Sequence, residues 1–279
     1  MRDDKMLASW NGLLIGSLAD AGRALGEPSW VEAAERAFAA IEGQLLISGR
    51  VGRYAIAGAA SSSRPGFLDD QAYFGSAALD LYEATGDPRY ASVAKAIAGT
   101  MVQHHADPID GSFYFAPSDG EALIARTKDA FDQAIPSAAA MAAILCLRVG
   151  GALDASFAGH GERQLLALAN MAPDNPLGMS TAVLGLDRLV RGSVDVVLVG
   201  ARGSEATRAL ADIAFKAYLP HKSVVYLDPD DPATTAIAPL LAEGKTGRAG
   251  ATVAYVCRGR ACSLPVSEPD ELAKLLASP

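Results

Sequence analysis

Two turns, 60 residues apart, decide the fold: Leu25-Gly26-Glu27-Pro28-Ser29-Trp30 and Thr85-Gly86-Asp87-Pro88-Arg89-Tyr90. In each turn a glycine can take the left-handed conformation that ends a helix. The proline two residues later cannot continue that helix, but it fits the first position of the next helix, where its missing N–H costs nothing. We expect the aromatic residue that follows to pack where the two helices meet. Each turn therefore predicts a pair of antiparallel helices.

Apolar residues at helical spacing flank both turns, and a fainter third copy of the turn spans residues 153–157. Residues 1–170 are therefore expected to form about three αα-hairpins. Between the hairpins, residues 49–54 and 111–116 alternate glycine with aromatic or polar residues. These two stretches predict short β-ribbons that cross one rim of the helical region.

The pattern changes near residue 190, where a continuous β-branched run begins. Residues 194–200 are typical of a buried parallel strand, and further strands are expected at 223–228 and 251–257. Helices between them complete a βαβαβα order, which predicts parallel strands with right-handed crossovers. The predicted fold is mainly α, with αα-hairpins followed by a small three-layer α/β segment that contains a parallel sheet. The domain boundaries are expected at 1–170 for the hairpins, 171–192 for a linker and 193–279 for the α/β segment.

The composition excludes several classes of function. The formal charge is −8 and the pI is near 5.0, so binding to nucleic acid or to an anionic membrane surface is not expected. The apolar run from Ile135 to Leu147 is too short to span a bilayer, and no signal peptide follows Met1. The three cysteines show no secreted spacing, which favours a reducing, cytoplasmic compartment.

Several motifs carry a resemblance to one family. In chain order they are Arg2-Asp3-Asp4-Lys5, Ser9-Trp10-Asn11-Gly12-Leu13, Gly66-Phe67-Leu68-Asp69-Asp70, Lys128-Asp129-Ala130-Phe131-Asp132, Ile135-Pro136-Ser137, Ala254-Tyr255-Val256-Cys257-Arg258, Ala261-Cys262 and Leu264-Pro265-Val266. Over essentially its whole length the sequence resembles the C-terminal half of the spermatogenesis-associated, YyaL-type family of thioredoxin-domain-containing proteins.

The resemblance implies an α/α toroid similar to those of six-hairpin glycosidases and N-acylglucosamine epimerases. A full toroid has six hairpins, so about half of one is expected here. The resemblance also implies that the chain is part of a longer protein in which a thioredoxin-like domain comes first.

The repeat offsets predict where a site would lie, because they align Trp10, Asp70 and Ser137 at the starts of successive first helices. If these helices form an inner ring, their N-terminal ends, with unpaired N–H groups, converge on one rim. Aromatic and carboxylate side chains there suit a sugar ligand. We expect Asp70 and Asp132 to act as catalytic acid and base, and the substrate-binding residues to be Trp10, Asn11, Asp69, Tyr73 and Asp129.

The same residues have a structural interpretation. Asp69 and Asp70 fit an N-cap and a first-turn acid of a helix, and Trp10 suits a core. The run Ala138-Ala139-Ala140 also departs from the family pattern, which places small and polar residues, including an asparagine, after Ile135-Pro136-Ser137.

Other candidate motifs favour structure over chemistry. The four histidines lack metal-ligand spacing, so we expect no metal, and no cofactor is expected either. Cys257 and Cys262, with C-x₄-C spacing, are more typical of two structural thiols than of a zinc or redox pair. Residues 200–204 follow a buried strand and suit a tight turn capped by Ser204 better than an anion-binding loop.

The sequence is compatible with two classes of function. One is a carbohydrate-acting enzyme, epimerase-like or glycosidase-like, with a sugar ligand at the rim. The other is a non-catalytic module that binds a carbohydrate or a protein beside a thioredoxin-like redox domain. The resemblance to toroid enzymes favours the first class, whereas the scarcity of histidine and the alanine run favour the second.

Overall fold

A computed structural model describes residues 3–56, 65–245, 247, 251–259 and 261–278. Arg2, in the first of the motifs above, lies outside these ranges. The described helices are α1 (Ala8–Leu25), α2 (Pro28–Leu45), α3 (Leu68–Thr85), α4 (Pro88–His105), α5 (Ala138–Ala152), α6 (Ala158–Ala169), α7 (Ser180–Arg191), α8 (Glu205–Lys216), α9 (Pro232–Ile237), α10 (Pro239–Ala242) and α11 (Pro269–Ala277). The described strands are β1 (Lys5–Leu7), β2 (Leu46–Ile47), β3 (Arg50–Val51), β4 (Tyr54–Ile56), β5 (Val194–Val199), β6 (Lys222–Leu227), β7 (Val253–Arg258) and β8 (Ala261–Cys262).

The predicted helical hairpins are present. Gly26 and Gly86 end α1 and α3 in the left-handed conformation, with φ of 72° and 73°. A proline opens each following helix, as expected. α5 and α6 form a third pair, joined through a 3₁₀ turn at Ala155–Phe157. The first helices of the pairs lie side by side in the order α1, α3, α5.

Aromatic side chains fill the space between the first two hairpins. The rings of Phe38 and Phe74 stack with centroids 4.5 Å apart, and Tyr90 meets Phe38 edge-on at 5.2 Å. Tyr90 is buried, as the turn predicted, but Trp30 is 39% exposed, so the expectation that both aromatics pack at the hairpin closure is wrong for Trp30.

The first predicted ribbon is present and the second is not. β2 pairs with β3, and β4 pairs with β1, in both cases antiparallel. In residues 111–116 the structure has only an isolated bridge between Ala106 and Phe113. Phe113 donates its backbone N–H to the side chain of Gln164 on α6 at 2.6 Å. This stretch is therefore held by a helix side chain where a partner strand was expected.

The C-terminal sheet has the strand order β6-β5-β7-β8. β5 and β6 are parallel as predicted, but β7 runs antiparallel to β5, so the expectation of an all-parallel sheet is wrong for the third strand. A parallel crossover needs a helix long enough to return along the sheet. Within the described residues of the connection after β6, the helices are the six-residue α9 and the four-residue α10. Val253 therefore enters beside Val199, at the edge where β5 and β6 end.

This sheet separates two hydrophobic cores. On one face Val196, Leu198 and Tyr226 pack with α8 and α11. On the other face Val197 and Val225 join the core of the hairpins. The expected combination of a mainly helical region and a small three-layer α/β segment is confirmed.

The segment predicted to be a linker contains structure of its own. Within residues 171–192 lie a 3₁₀ turn, Leu177–Met179, and the helix α7. α7 packs on α5 and α6 through the buried residues Ala182 and Gly185, so it extends the helical layer. No described helix combines the length and apolar character needed to cross a membrane.

Close approach of α1 and α3 makes Gly12 a testable position. A Cβ at residue 12 would lie 2.8 Å from the backbone nitrogen of Phe74. We expect Gly12→Ala to lower the free energy of unfolding by about 1–3 kcal/mol, because the helices must move apart. Gly43 on α2 is the matched control, since nothing lies within 4 Å of its added Cβ. Urea unfolding should show Gly43→Ala slightly stabilised by helix propensity. Equal stability of the two variants would contradict this packing.

Candidate functional site

The predicted rim contains an ion cluster centred on Arg53, which was not among the predicted site residues. Arg53, between β3 and β4, places Nη1 2.8 and 2.7 Å from the two carboxylate oxygens of Asp69. The same nitrogen lies 3.0 Å from Oδ2 of Asp70. Both aspartates belong to the first turn of α3, where acids are favoured by the helix dipole. The glycine-rich ribbon that contains Arg53 was expected to cross one rim of the helical region, and that was the available signal.

Asp70 is fully buried and all of its described contacts are structural. Its Oδ1 accepts the backbone N–H of Ser9 at 3.1 Å, and its Oδ2 accepts that of Phe67 at 2.9 Å. Burial raises the pKa of Asp70 to about 7, with repulsion from Asp69 adding and the Arg53 guanidinium opposing. The carboxylate thus fixes the start of α1 against the start of α3.

Asp132 has a similar role at the next helix start. Its Oδ1 accepts the N–H of Ser137 at 2.7 Å, and its Oδ2 accepts the hydroxyl of Ser180 at 2.7 Å and the N–H of Thr181 at 2.8 Å. Burial opposes ionisation, but these donors outweigh it and lower the pKa of Asp132. The carboxylate therefore joins the beginnings of α5 and α7.

Asp129 is the least constrained carboxylate of the rim. It accepts one weak hydrogen bond, from the N–H of Ala138 at 3.3 Å, and it is partly exposed. Burial raises its pKa, and the nearby charges of Asp69 and Asp132 act in the same direction. A half-buried carboxyl with a raised pKa can both bind a hydroxyl group and donate a proton.

Tyr73 lies among these acids. Its side chain is buried, its hydroxyl donates to the carbonyl oxygen of Pro136, and burial together with the surrounding carboxylates raises its pKa. The charges that act on it belong to Asp69, Asp70, Asp129 and Asp132. The structure therefore brings five of the seven predicted residues into one cluster.

The other two predicted residues lie on the first turn of α1. Asn11 donates from Nδ2 to the carbonyl oxygen of Leu7 at 2.8 Å, so its amide helps to close the helix start. Trp10 is 61% exposed, which excludes a core role for it here. Its neighbour Ser9 donates its backbone N–H to Asp70, so the backbone of Trp10 lies beside the acidic cluster.

The remaining motifs of the sequence reading have structural explanations. Ser204 caps α8 by accepting the N–H of Thr207 at 3.1 Å, which confirms the tight-turn interpretation. Cys257 and Cys262 lie directly opposite each other in the β7–β8 hairpin and form a disulfide, so the expectation of two separate thiols is wrong. Within the described ranges, no group of three or more His, Cys, Asp or Glu side chains is arranged to hold a metal ion.

These features define an array of αα-hairpins, joined to a small mixed α/β segment, with an acidic rim at the helix N-termini. No protein-family model matches the sequence. The chain is 30% identical over 291 aligned positions to human spermatogenesis-associated protein 20, and 31% identical to the mouse protein. An uncharacterized protein of Caenorhabditis elegans is 26% identical over 284 positions. The alignments cover 98% of this chain but only 36% of the human and mouse proteins, so the chain spans about a third of their length.

The rim contacts predict different effects for two of its acids. Asp70→Asn removes a charge that three donors approach, so we expect a loss of roughly 2–3 kcal/mol in the free energy of unfolding. Asp129→Asn, which affects one long hydrogen bond, should change it by less than about 1 kcal/mol. Urea unfolding of the two variants and the parent protein measures this. Little or no destabilisation by Asp70→Asn would show that its contacts do not hold the helix starts together.

Proposed function

We propose that this chain is the C-terminal portion of a thioredoxin-domain-containing protein related to spermatogenesis-associated protein 20, and that its rim binds a carbohydrate. The similarity along 98% of the chain supports the first part. The expected toroid, the thioredoxin-like domain and the cytoplasmic location remain predictions about the longer protein. Since the chain spans about a third of its relatives, the activity of the whole protein is a separate question.

Binding without turnover is the function that the rim supports best. The observation that carries this proposal is that both oxygens of Asp70 and both oxygens of Asp132 accept hydrogen bonds from backbone or side-chain donors that hold the helix starts together. Glycoside hydrolysis needs two carboxyl groups that can reach the substrate. Trp10 and Asp129 remain accessible, and they offer an aromatic face and a hydroxyl acceptor.

A carbohydrate-acting enzyme is the second candidate, favoured by one observation. Asp129 is partly exposed and its raised pKa suits a general acid. In this alternative, epimerase-like or glycosidase-like chemistry uses Asp129 with a second group. The catalytic roles expected for Asp70 and Asp132 would require their present hydrogen bonds to break.

Tryptophan fluorescence can test the binding proposal, because the chain has only two tryptophans. The Trp30→Phe variant leaves Trp10 as the reporter, and Trp10→Phe leaves Trp30 as the matched control. A panel of mono- and oligosaccharides should include one that changes the emission of the first variant but not that of the second. The same sugar should raise the melting temperature of the parent protein, since a ligand that binds only the folded state stabilises it.

The outcome separates the two candidates. Binding that Asp129→Asn weakens, with the sugar recovered unchanged by NMR, supports the binding module. Conversion of the sugar supports the enzyme. If no sugar alters either the emission of Trp10 or the melting temperature, in this chain and in a longer version of the protein, the carbohydrate proposal is wrong.

A further inference from the structure

A concave site lies at the ends of α1, α3 and α5 that are opposite to the rim. A cavity of about 500 Å³ opens between the C-terminal halves of α1, α3 and α5, the helix α7 and the segment from Phe215 to Lys222 that joins α8 to β6. Its volume is in the range of small-molecule sites. None of the predicted rim residues lines this cavity.

An ion cluster forms one wall of the cavity. Arg148 on α5 places Nη1 2.7 Å from Oδ1 of Asp80 and Nη2 2.9 Å from Oε1 of Glu83, both on α3. Gly16 on α1 makes room for this arrangement, because a Cβ there would lie 2.4 Å from Oδ2 of Asp80. The three charged groups hold one another in place and leave a fixed polar wall.

Two other cavity groups are engaged elsewhere. The Lys222 ammonium donates to the carbonyl oxygens of Ala214 and Ala217 at 2.7 and 2.9 Å, so it caps the end of α8. His221 Nε2 lies 2.7 Å from Oδ2 of Asp187. The donors of the Lys222 ammonium are thus taken up by carbonyl groups, and His221 Nε2 is paired with Asp187, so neither nitrogen is left for a ligand.

One carboxylate and one guanidinium remain unmatched. Among the described residues, none hydrogen-bonds to Asp20 on α1 or forms an ion pair with it, although its side chain is accessible at the cavity wall. Arg188 on α7 donates one hydrogen bond, to the carbonyl oxygen of His221 at 3.2 Å, and no described carboxylate lies within ion-pair distance of it. Unpaired charges in a partly enclosed site are costly, and a ligand of complementary charge removes that cost.

Apolar surface also lines the cavity. Ile144 comes from α5, Leu184 from α7 and Phe215 from the end of α8. Apolar walls with a few polar groups that fix orientation are typical of small-molecule sites. A ligand that fits them carries an aliphatic stem as well as its charges.

We propose that this cavity binds a zwitterionic small molecule, with its ammonium group on Asp20, its carboxylate on Arg188 and an aliphatic stem against the apolar wall. The electrostatics of Asp20 agree with a cationic group there. Partial loss of hydration and repulsion from Asp80 and Glu83, opposed by Arg148 and Lys222, raise the pKa of Asp20 to about 8. A bound ammonium group would therefore favour the ionised form of this carboxyl.

The test uses ω-amino acids of increasing length as probes, measured by isothermal titration calorimetry on this chain. The series runs from glycine through 4-aminobutyrate and 6-aminohexanoate to 8-aminooctanoate, with hexylamine and hexanoate as singly charged controls. One member should bind at least about tenfold more tightly than either control, because both charges are then matched.

Variants assign each charge to one end of the ligand. In Asp20→Asn, the zwitterion should bind no more tightly than hexanoate. In Arg188→Gln, it should bind no more tightly than hexylamine. Arg188→Lys, which keeps the charge, should retain part of the affinity. Glu32→Gln and Arg36→Gln, an exposed pair on α2, are matched controls and should leave binding unchanged.

Three results would overturn the proposal. They are no binding by any member of the series, equal binding of the zwitterions and the singly charged controls, and unchanged selectivity in folded Asp20→Asn and Arg188→Gln proteins. Because this site shares no residue with the sugar-binding rim, each proposal can fail independently of the other.

Discussion

The bond between the Arg53 guanidinium and the two carboxylates at the start of α3 is the interaction on which the rest of the structure depends. Asp70 is 0% exposed, and its carboxylate accepts hydrogen bonds from three parts of the chain. The donors are the Arg53 side chain in the ribbon, the backbone N–H of Ser9 and the backbone N–H of Phe67 at the start of its own helix. A buried carboxylate is tolerated only when donors surround it. That requirement fixes α1, α3 and the β-ribbon relative to one another, and α5 and α7 are attached in the same manner through Asp132.

This use of the acids limits the chemistry of the rim. The oxygens of Asp70 and Asp132 are occupied by donors from the protein, so these groups cannot approach a substrate without breaking the helix contacts, and the rim is better suited to recognition than to acid–base catalysis. The cavity at the other end of the helices differs in this respect. There the Arg148 cluster is satisfied, and Asp20 and Arg188 stay unmatched. Charged side chains at the N-terminal ends of these helices therefore hold the structure together, whereas Asp20 and Arg188 at the opposite ends form no ion pair with a described residue.

The sequence predicts the hairpins well because their turns depend on local backbone rules. The glycine–proline pairs determine the backbone only over a few neighbouring residues, at Gly26 with Pro28 and at Gly86 with Pro88. The direction of β7 was not predictable in the same way, since it depends on how far the short helices after β6 extend. The sequence indicated the acids of the rim, but their structural role depends on an ion pair with Arg53, which lies 17 residues from Asp70. The repeat also held an unused signal, because the offset that aligns Trp10 with Asp70 aligns Asp20 with Asp80.

Amide hydrogen exchange at Ser9 and Phe67 can test whether the Arg53–Asp70 cluster organises the helix starts, because both amides donate to the buried Asp70 carboxylate from positions far apart in sequence. Both should be strongly protected in the parent protein and both should exchange faster in Arg53→Met, while the amide of Val197 in the central strand β5 stays protected. If the two amides exchange as fast as those of exposed loops, or if Arg53→Met affects only one of them, the ion cluster does not organise the fold as described.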